Sequence, residues 1–261
     1  MKRVDDLDDK NLQKKLRNDF LADGFIFFPG FLNALEISEV TERLNAFKKS
    51  QIEHMPRSDV YYEDINDKTS LKQLQRLFKY DSFFADMMDS SRFEKLASIL
   101  LDDGVVGKNI QYFNKPPKIG QPTPAHQDGY YFMLEPNEAV TMWMALEPVD
   151  EENGCVRYIK GSHLTGMREH GKTGTLGFSQ GIVDYGGKET DKNEVFYPTQ
   201  AGDLLVHHSM TIHRADGNSS ENRTRQAMGF IYYANKAKED YEAQKAYQKK
   251  LAEDLTKENK V

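Results

Sequence analysis

The sequence predicts a protein that is mainly β, with helices flanking a sandwich or barrel. Between residues 105 and 233, short apolar runs alternate with clusters of Gly, Pro, Asn and Asp, a pattern typical of all-β sandwiches and barrels. Ahead of this region, apolar residues recur at three- and four-residue intervals, which indicates amphipathic helices. After residue 235 the chain is rich in Lys, Glu, Ala and Gln, which predicts a final exposed helix.

The first predicted element is a helix over residues 7–23. Leu12, Leu16 and Phe20 lie at helical spacing, so they form one apolar stripe that packs on the body of the protein. Gly24 follows directly and is expected to end the helix, because glycine adopts the left-handed conformation that terminates helices.

The remaining elements of the first hundred residues are a strand, three helices and a polar connection. Residues 25–32 are typical of a short buried strand that Pro29 and Gly30 interrupt. Residues 51–70 are polar and rich in turn residues, a composition shared by active-site lids and ordinary surface connections. Helices are expected over 34–50, 71–78 and 92–101.

The strands of the second half are predicted from its apolar runs. They are NIQYF (109–113), AVTMWMAL (139–146), CVRYI (155–159), DLLVHH (203–208) and QAMGFIYY (226–233). The whole chain is expected to form a single domain, with its parts at 1–104 (mainly helical), 105–235 (β core with inserted loops) and 236–261 (C-terminal helix).

Charge and cysteine content restrict the class of protein. A formal net charge of −6 argues against nucleic acid as a partner, because neutralising phosphates needs a basic surface. Cys155 is the sole cysteine, so an intramolecular disulfide is excluded and a reducing, cytoplasmic setting is expected. No apolar stretch approaches the roughly 20 residues that span a bilayer, so we expect a soluble protein without a membrane partner.

A candidate metal site lies in two segments. In PTPAHQDGYYF, His126 and Asp128 are two residues apart, so on an extended strand both side chains project from the same face. In GDLLVHHSMTIHRADG, His213 is the favoured third ligand and His208 the main alternative. His207 and His208 are adjacent and must point to opposite faces of their strand, so one of the two is also able to approach a metal.

Two imidazoles and one carboxylate leave three positions open on an octahedral ion, which suits non-haem Fe(II) and oxygen chemistry. Those positions need a co-substrate. Arg225 lies 12 residues after His213 and immediately before an apolar strand, so its guanidinium is placed to bind a carboxylate with two parallel hydrogen bonds.

With these residues in place, the chain resembles the phytanoyl-CoA dioxygenase family of Fe(II) and 2-oxoglutarate-dependent oxygenases, over roughly residues 20–235. The resemblance rests on the spacing from His213 to Arg225, on the strand that contains Trp143, and on five short motifs. These are NKPP (114–117), HQDGYYF (126–132), NGC (153–155), GSH (161–163) and GD (202–203). It implies a double-stranded β-helix, the cupin-like jelly roll, with helices packed outside.

The resemblance also implies roles for residues. His126, Asp128 and His213 match the iron ligands. Arg225 matches the arginine that binds the distal carboxylate of 2-oxoglutarate, and Arg223 is the competing assignment. Trp143 and Gln111 match positions that line the co-substrate pocket. In any barrel, however, Trp143 is also a plausible core aromatic, and Gln111 is also a plausible cap of a strand edge.

The implied reaction uses Fe(II), 2-oxoglutarate and O2 to hydroxylate an unactivated C–H bond, with release of succinate and CO2. Halogenation is disfavoured, because related halogenases carry a small residue where this chain has Asp128. Two other classes stay open: a metal-barrel isomerase or dioxygenase that needs no 2-oxoglutarate, and a non-catalytic barrel that binds a small molecule. Substituting Arg225 discriminates the 2-oxoglutarate-dependent hydroxylase from the metal-barrel enzyme, in which Arg225 has no catalytic role.

The expected substrate is a small polar metabolite rather than an acyl-CoA, because the sequence shows no obvious basic patch for a nucleotide phosphate. Four cationic residues remain candidates for contacts with an anionic substrate: Lys108, Lys115, Lys118 and Arg157. The sequence does not decide the oligomeric state.

Overall fold

The computed structural model of the chain describes residues 7–175, 178–246 and 249. Its helices are α1 (Lys10–Asp23), α2 (Ala34–Ser50), α3 (Ser82–Met88), α4 (Arg92–Leu101) and α5 (Gly129–Phe132). The first seven strands are β1 (Phe25–Phe28), β2 (Val60–Tyr62), β3 (Leu71–Leu74), β4 (Val105–Phe113), β5 (Thr123–His126), β6 (Leu134–Glu135) and β7 (Ala139–Ala145). The later strands are β8 (Val156–Ile159), β9 (His170–Thr175), β10 (Phe178–Ile182), β11 (Glu194–Phe196), β12 (Leu204–His208), β13 (His213–Ala215), β14 (Ala227–Ala234) and β15 (Lys238–Glu239).

The first two helices begin and end where the sequence places their caps. The Asp9 carboxylate accepts hydrogen bonds from two backbone N–H groups in the first turn of α1, and Gly24 ends that helix at a φ of 82°. At the start of α2, Asn33 and Glu36 form a reciprocal capping box. The helices predicted over 7–23 and 34–50 are confirmed. Among the described residues, no helix is long and apolar enough to cross a membrane.

Two antiparallel sheets form the centre of the fold. The large sheet has seven strands in the order β1-β12-β7-β14-β4-β3-β2, and the small sheet has four in the order β11-β8-β13-β5. The five apolar runs of the second half coincide with β4, β7, β8, β12 and β14, so these predicted strands are confirmed.

The large sheet has an apolar layer on each face. On its outer face, Met142 and Phe230 pack with residues of α1, α2 and α4 in one core cluster. On its inner face, Trp143 and Leu205 pack with Tyr158 of the small sheet in a second cluster. Helices therefore cover one face and the small sheet covers the other, which is the jelly-roll arrangement that the sequence predicts.

The helix predicted over 71–78 is wrong. Residues 71–74 form β3, in which Gln73 pairs with Phe113 on the exposed edge of β4, and a single 3-10 turn follows at Leu77–Lys79. The backbone hydrogen bonds offered by β4 outweigh the local helical preference of this polar segment. The short helix α3, which the sequence analysis did not predict, comes next.

The polar connection at 51–70 contains 3-10 turns and the edge strand β2, which pairs with β3. The predicted C-terminal helix begins later than residue 236, because Lys238 and Glu239 form β15 and pair with Glu135 and Leu134 of β6. Helical backbone runs over 241–246. Most of the remaining residues of that predicted helix lie outside the described residues.

Candidate metal centre and cavity

A cavity of about 450 Å³ lies between the two sheets. The large sheet contributes Gln111 and Trp143 to its wall, and the small sheet contributes His126 and His213. Enclosed volumes of this size hold small-molecule ligands, and a space between sheets keeps bound groups away from bulk water. All six residues that the sequence analysis assigned to the site line this cavity, Arg225 and Asp128 among them.

The three predicted metal ligands converge at one end of the cavity. His126 is the last residue of β5, and His213 is the first residue of β13; the two residues pair directly across these strands. Each of His126, Asp128 and His213 offers one ligand atom, and these atoms all lie within 4.8 Å of one another. Strand register therefore brings together histidines that are 87 positions apart in the sequence.

Asp128 reaches the centre by a different route from the one predicted. It is not on the strand with His126, because β5 ends at His126 and Asp128 has helical backbone angles (φ −57°, ψ −34°) before α5. The backbone N–H groups of Tyr131 and Phe132 donate to the Asp128 carbonyl, at 2.9 and 3.1 Å, and hold this tight turn. The turn directs the carboxylate back towards the two imidazoles.

Hydrogen bonds to backbone carbonyls orient both imidazoles. Nδ1 of His126 lies 2.8 Å from the Pro124 carbonyl oxygen, and Nδ1 of His213 lies 3.1 Å from that of Thr211. A carbonyl only accepts, so each Nδ1 carries the hydrogen and each Nε2 keeps its lone pair. The Nε2 atoms lie 3.4 and 3.7 Å from Asp128 Oδ1, so two nitrogen donors and one carboxylate oxygen face a common point, as a divalent metal requires.

The local electrostatics favour the metal-binding forms of these side chains. Burial tends to raise the pKa of Asp128, but the imidazoles of His213, His126 and His207 hold it well below its ordinary value. Burial, reinforced by the neighbouring imidazoles of His207 and His126, lowers the pKa of His213 well below its ordinary value. An ionised carboxylate beside a neutral imidazole is the combination that binds a divalent cation.

Arg225 lines the same cavity and is 4% exposed. Its guanidinium carbon is 5.5 Å from the centre of the Trp143 ring, and its Nε is a buried donor without a hydrogen-bond partner. Within the described residues, the side chain forms no ion pair, and burial lowers its pKa to about 10. A buried guanidinium of this kind needs an anion to compensate it.

Arg223, the alternative to Arg225, lies elsewhere. Its guanidinium binds both carboxylate oxygens of Asp150, at 2.8 and 2.9 Å, and also contacts Glu152. About a third of its side chain is exposed. Arg223 therefore already has its carboxylate partners at the surface, and of the two arginines only Arg225 opens on the cavity.

Gly229 of β14 lies between two residues of the cavity wall. It pairs with Gln111 on one neighbouring strand and with Trp143 on the other. A Cβ atom at Gly229 would come within 2.8 Å of a Phe113 ring carbon and 3.1 Å of Gln111 Cγ. The absence of a side chain at Gly229 therefore leaves the space that Phe113 and Gln111, both cavity-lining residues, occupy. Gln111 is held there by the Gln73 amide, 3.0 Å away.

The other candidate histidines do not join the group. His208 points to the opposite face of β12 and lies 3.7 Å from the Glu138 carboxylate. Nε2 of His163 lies 3.0 Å from the Leu21 carbonyl oxygen, which ties the turn after β8 to α1.

Two residues that sequence reasoning did not assign contact the Asp128 carboxylate. Thr141 Oγ1 donates to Asp128 Oδ2 at 2.5 Å, and His207 Nε2 lies 3.1 Å from the same oxygen. Strand alternation indicated that one of the adjacent histidines faces inward. It did not say which, because that depends on the pairing of β12 with β7.

Gln127, between the two ligands of the first segment, is fully buried. Its side chain donates to the carbonyls of Gly166 and Met210 and accepts from the backbone N–H of Arg168. It therefore ties the turn that contains Asp128 to the loop that follows β8. A buried glutamine is not recognisable from its spacing, so this contact was not predictable from the sequence.

The four cations proposed for anionic ligands all have partners. Lys108 pairs with Glu239 at 2.5 Å, Lys118 pairs with Glu221, and Arg157 pairs with Asp216 at 2.8 Å. Lys115 is buried and donates to the backbone carbonyl of Asp216 at 2.6 Å. Two more cations on the cavity wall are also neutralised, in the pairs Lys72 with Glu63 and Arg76 with Asp59.

The family comparison matches most of the chain. A model described as Phytanoyl-CoA dioxygenase (PhyH) matches residues 20–227. Phytanoyl-CoA dioxygenase domain-containing protein 1 of Bos taurus is 32% identical over 158 residues, which are 59% of this chain and 54% of that protein. Phytanoyl-CoA dioxygenase of Arabidopsis thaliana is 33% identical over 146 residues, which are 55% of this chain and 50% of that protein. The matched regions thus span about half the length of these relatives.

Among solved structures, the epimerase SnoN, in complex with Fe3+, alpha ketoglutarate and nogalamycin RO, has a TM-score of 0.71 to this chain. It is 21% identical, and the match covers 88% of this chain and 87% of SnoN. At this identity the likeness establishes the fold, in agreement with the two sheets described above.

Proposed function

The chain belongs to the phytanoyl-CoA dioxygenase family, and on that premise we propose that it is a non-haem Fe(II) and 2-oxoglutarate-dependent dioxygenase. In this proposal His126, Asp128 and His213 hold the iron, and Arg225 binds the distal carboxylate of 2-oxoglutarate. Bound at these residues, Fe(II) with 2-oxoglutarate and O2 supplies an oxidative decarboxylation that releases succinate and CO2 and oxidises a C–H bond.

One observation carries this proposal: the buried guanidinium of Arg225, which has no anionic partner among the described residues, opens on the same cavity as a cluster of two imidazoles and one carboxylate. The cluster leaves positions on the metal for a chelating ligand, and the arginine supplies the charge that a dicarboxylate needs at its other end. Trp143 and Gln111 flank the space between them and are proposed to shape the co-substrate pocket.

We further propose that the substrate is a small polar metabolite and that the reaction is hydroxylation of an unactivated C–H bond. The cavity wall supports a ligand of low charge, because Lys72, Arg76 and Lys108 are each neutralised by an acid. The phosphates of an acyl-CoA would have to compete with those acids. Arg225 and Lys115 lack acidic partners within the described residues, and both lie at the proposed co-substrate end.

The first test compares Arg225→Ala with a matched control, Arg223→Ala. Under anaerobic conditions, Fe(II) and 2-oxoglutarate are added and the weak visible absorption of the chelate is titrated. Loss of a buried charged contact is expected to weaken 2-oxoglutarate binding by about 100-fold in Arg225→Ala. Arg223→Ala loses only surface ion pairs and is expected to bind as the wild type does. Succinate release after admission of O2 should follow the same order.

Each alternative class predicts a different result. If iron binds but wild type shows neither the chelate absorption nor succinate, the protein does not use 2-oxoglutarate and the proposal fails. If Arg223→Ala weakens binding and Arg225→Ala does not, the assignment of the clamp is wrong. A library of polar metabolites then tests the reaction type: hydroxylation adds one oxygen atom to the product, whereas an isomerase or epimerase leaves its mass unchanged.

A further inference from the structure

His207 is a buried imidazole next to the candidate metal centre that is not itself one of the three clustered ligands. Its Nε2 lies 3.1 Å from Asp128 Oδ2, and its Nδ1 lies 3.1 Å from the hydroxyl of Tyr158. We propose that His207 is a positioning residue for Asp128: it holds one carboxylate oxygen away from the metal, so that Asp128 binds the metal through the other oxygen alone. This inference rests on the metal site of the proposed function.

Strand register places two donors on the same oxygen. His207 on β12 pairs directly with Thr141 on β7, and both side chains point into the cavity. Thr141 Oγ1 donates to Asp128 Oδ2 at 2.5 Å, alongside His207. Side chains directly opposite each other on neighbouring strands are close enough to bind one atom together. The two paired residues therefore form a clamp on Oδ2.

The hydrogen-bond directions in this clamp follow from the groups involved. An ionised carboxylate only accepts, so Nε2 of His207 must carry the hydrogen that it donates to Asp128. In the neutral imidazole Nδ1 is then an acceptor, and Tyr158 donates its hydroxyl hydrogen to it. Tyr158 is fully buried, so this bond also satisfies a hydroxyl that has no access to water. The chain Tyr158 to His207 to Asp128 fixes the tautomer and the ring orientation.

The clamp leaves Oδ1 as the metal-facing atom. Oδ1 lies 3.4 Å from Nε2 of His126 and 3.7 Å from Nε2 of His213, whereas Oδ2 faces the two donors. A carboxylate released from the clamp is free to rotate and bind through both oxygens. Two-oxygen binding occupies one of the three positions that a chelating co-substrate and O2 require. The clamp is therefore expected to keep coordination positions on the metal open for the co-substrate and O2, and also to support the affinity for the metal.

The test uses Co(II) as the probe, in the full-length protein without 2-oxoglutarate. Affinity is measured against a competing chelator, and the visible absorption of the bound Co(II) reports its coordination number. His207→Leu removes the donor, and His207→Gln places an amide N–H near the position of Nε2. His208→Leu is the matched control, because it removes the adjacent imidazole on the opposite face. Asp128→Ala gives the value for loss of a true ligand.

We expect His207→Leu to bind Co(II) 10- to 100-fold more weakly, the usual cost of losing a group that supports a ligand, with a shifted visible spectrum. His207→Gln should recover most of the affinity and the wild-type spectrum, and His208→Leu should match wild type. A thermal unfolding scan of each apoprotein verifies that the variants are folded.

Two results overturn the proposal. If His207→Leu, folded, retains the wild-type Co(II) affinity and spectrum, the clamp has no effect on the metal. If both His207 variants lose as much affinity as Asp128→Ala, His207 is itself a ligand. Neither result depends on turnover, so a protein that binds Co(II) but never consumes 2-oxoglutarate would refute the proposed function and leave the role of His207 to be decided by these measurements.

Discussion

Two regions of the molecule are built by different interactions. At the inner end of the cavity, which we call the deep end, strand register places the clustered histidines and their neighbours: His126 pairs with His213, and Thr141 pairs with His207. Outside the two central sheets, side-chain ion pairs hold the connecting segments in place. Arg76 of the cavity wall pairs with Asp59, and Arg168 pairs with Asp184 and Asp191 in the segments between β8 and β11.

This difference separates two kinds of specificity. A one-residue change of register at the deep end would turn every inward side chain to the other face, so the chemistry there is fixed together with the fold. Ion pairs in loops can be exchanged without disturbing the sheets, so the surface that contacts the substrate is able to vary independently. A shared reaction centre with differing substrates is the consequence that we expect within such a fold.

The comparison also predicts where stability and function are divided. Arg225 at the deep end is buried without an ion pair among the described residues. Burying this charge lowers the stability of the fold but leaves the guanidinium available to bind an anionic ligand. Arg168 in the outer loop is equally buried but fully paired. Removing a deep-end group should therefore harm binding more than stability, and removing an outer ion pair should do the opposite.

The largest effect is expected for Asp128→Ala. Loss of the only carboxylate among the three clustered ligands should abolish measurable Co(II) binding, a greater effect than the roughly 100-fold cost of losing a supporting group. The thermal midpoint of the apoprotein should change little, because the loss of the hydrogen bonds from Thr141 and His207 is offset by removal of a buried charge. Co(II) titration and a thermal scan measure the two quantities. If the thermal midpoint of Asp128→Ala falls as far as that of Arg168→Met, the two regions do not differ in their contribution to stability.

The second largest effect is expected for Arg168→Met. The side chains of Arg168 and Asp191 are 6% and 4% exposed, so the substitution leaves a buried carboxylate without its cation. The free energy of unfolding in urea should fall by about 3 kcal/mol. Co(II) affinity of the folded protein should be retained. Lys68→Met is the control, because its ion pair with Glu53 is about 80% exposed on both sides and should contribute almost nothing.

The same pair predicts a dependence on pH. Burial tends to raise the pKa of Asp191, but hydrogen bonds from Arg168 and from two backbone N–H groups lower it below its ordinary value of 3.8. A carboxyl with a lowered folded-state pKa stabilises the protein above its ordinary pKa, and this contribution disappears as the pH falls through the lowered value. The stability difference between wild type and Arg168→Met should therefore be constant near neutral pH and shrink below about pH 4. A difference that grows in acid would contradict this assignment.

The parts of the molecule that the sequence predicts are those with a local signal. The apolar runs of β7 and β14 show strand character because nearly every residue in them is buried. The caps of α1 and α2 are recognisable because Asp9, Asn33 and Gly24 act within one turn of the helix end. His126, Asp128 and His213 were predicted as metal ligands because their residue types match a known ligand set, and the structure brings the three side chains together.

What the sequence does not predict depends on long-range pairing. Residues 71–74 carry no strand signal of their own and become β3 because the edge of β4 lies beside them. The inward direction of His207, rather than His208, follows from the register of β12 on β7. Asp128 was expected on a strand, and its turn is stabilised by hydrogen bonds that its side-chain type does not reveal.

The smallest effect is expected for Gly229→Ala, which tests how tightly the deep end is packed. The new methyl group would lie 2.8 Å from a Phe113 ring carbon, so the ring and the neighbouring Gln111 must shift beside the co-substrate pocket. A displacement well below 1 Å should raise the KM for 2-oxoglutarate by about tenfold and affect kcat less, as measured by succinate release. Gly107→Ala is the control, because its Cβ would meet the flexible end of Met88, away from the cavity. If both variants retain the wild-type KM, the side chains packed around Gly229 tolerate movement. Among the deep-end residues, only the proposed metal ligands would then need to be held rigidly.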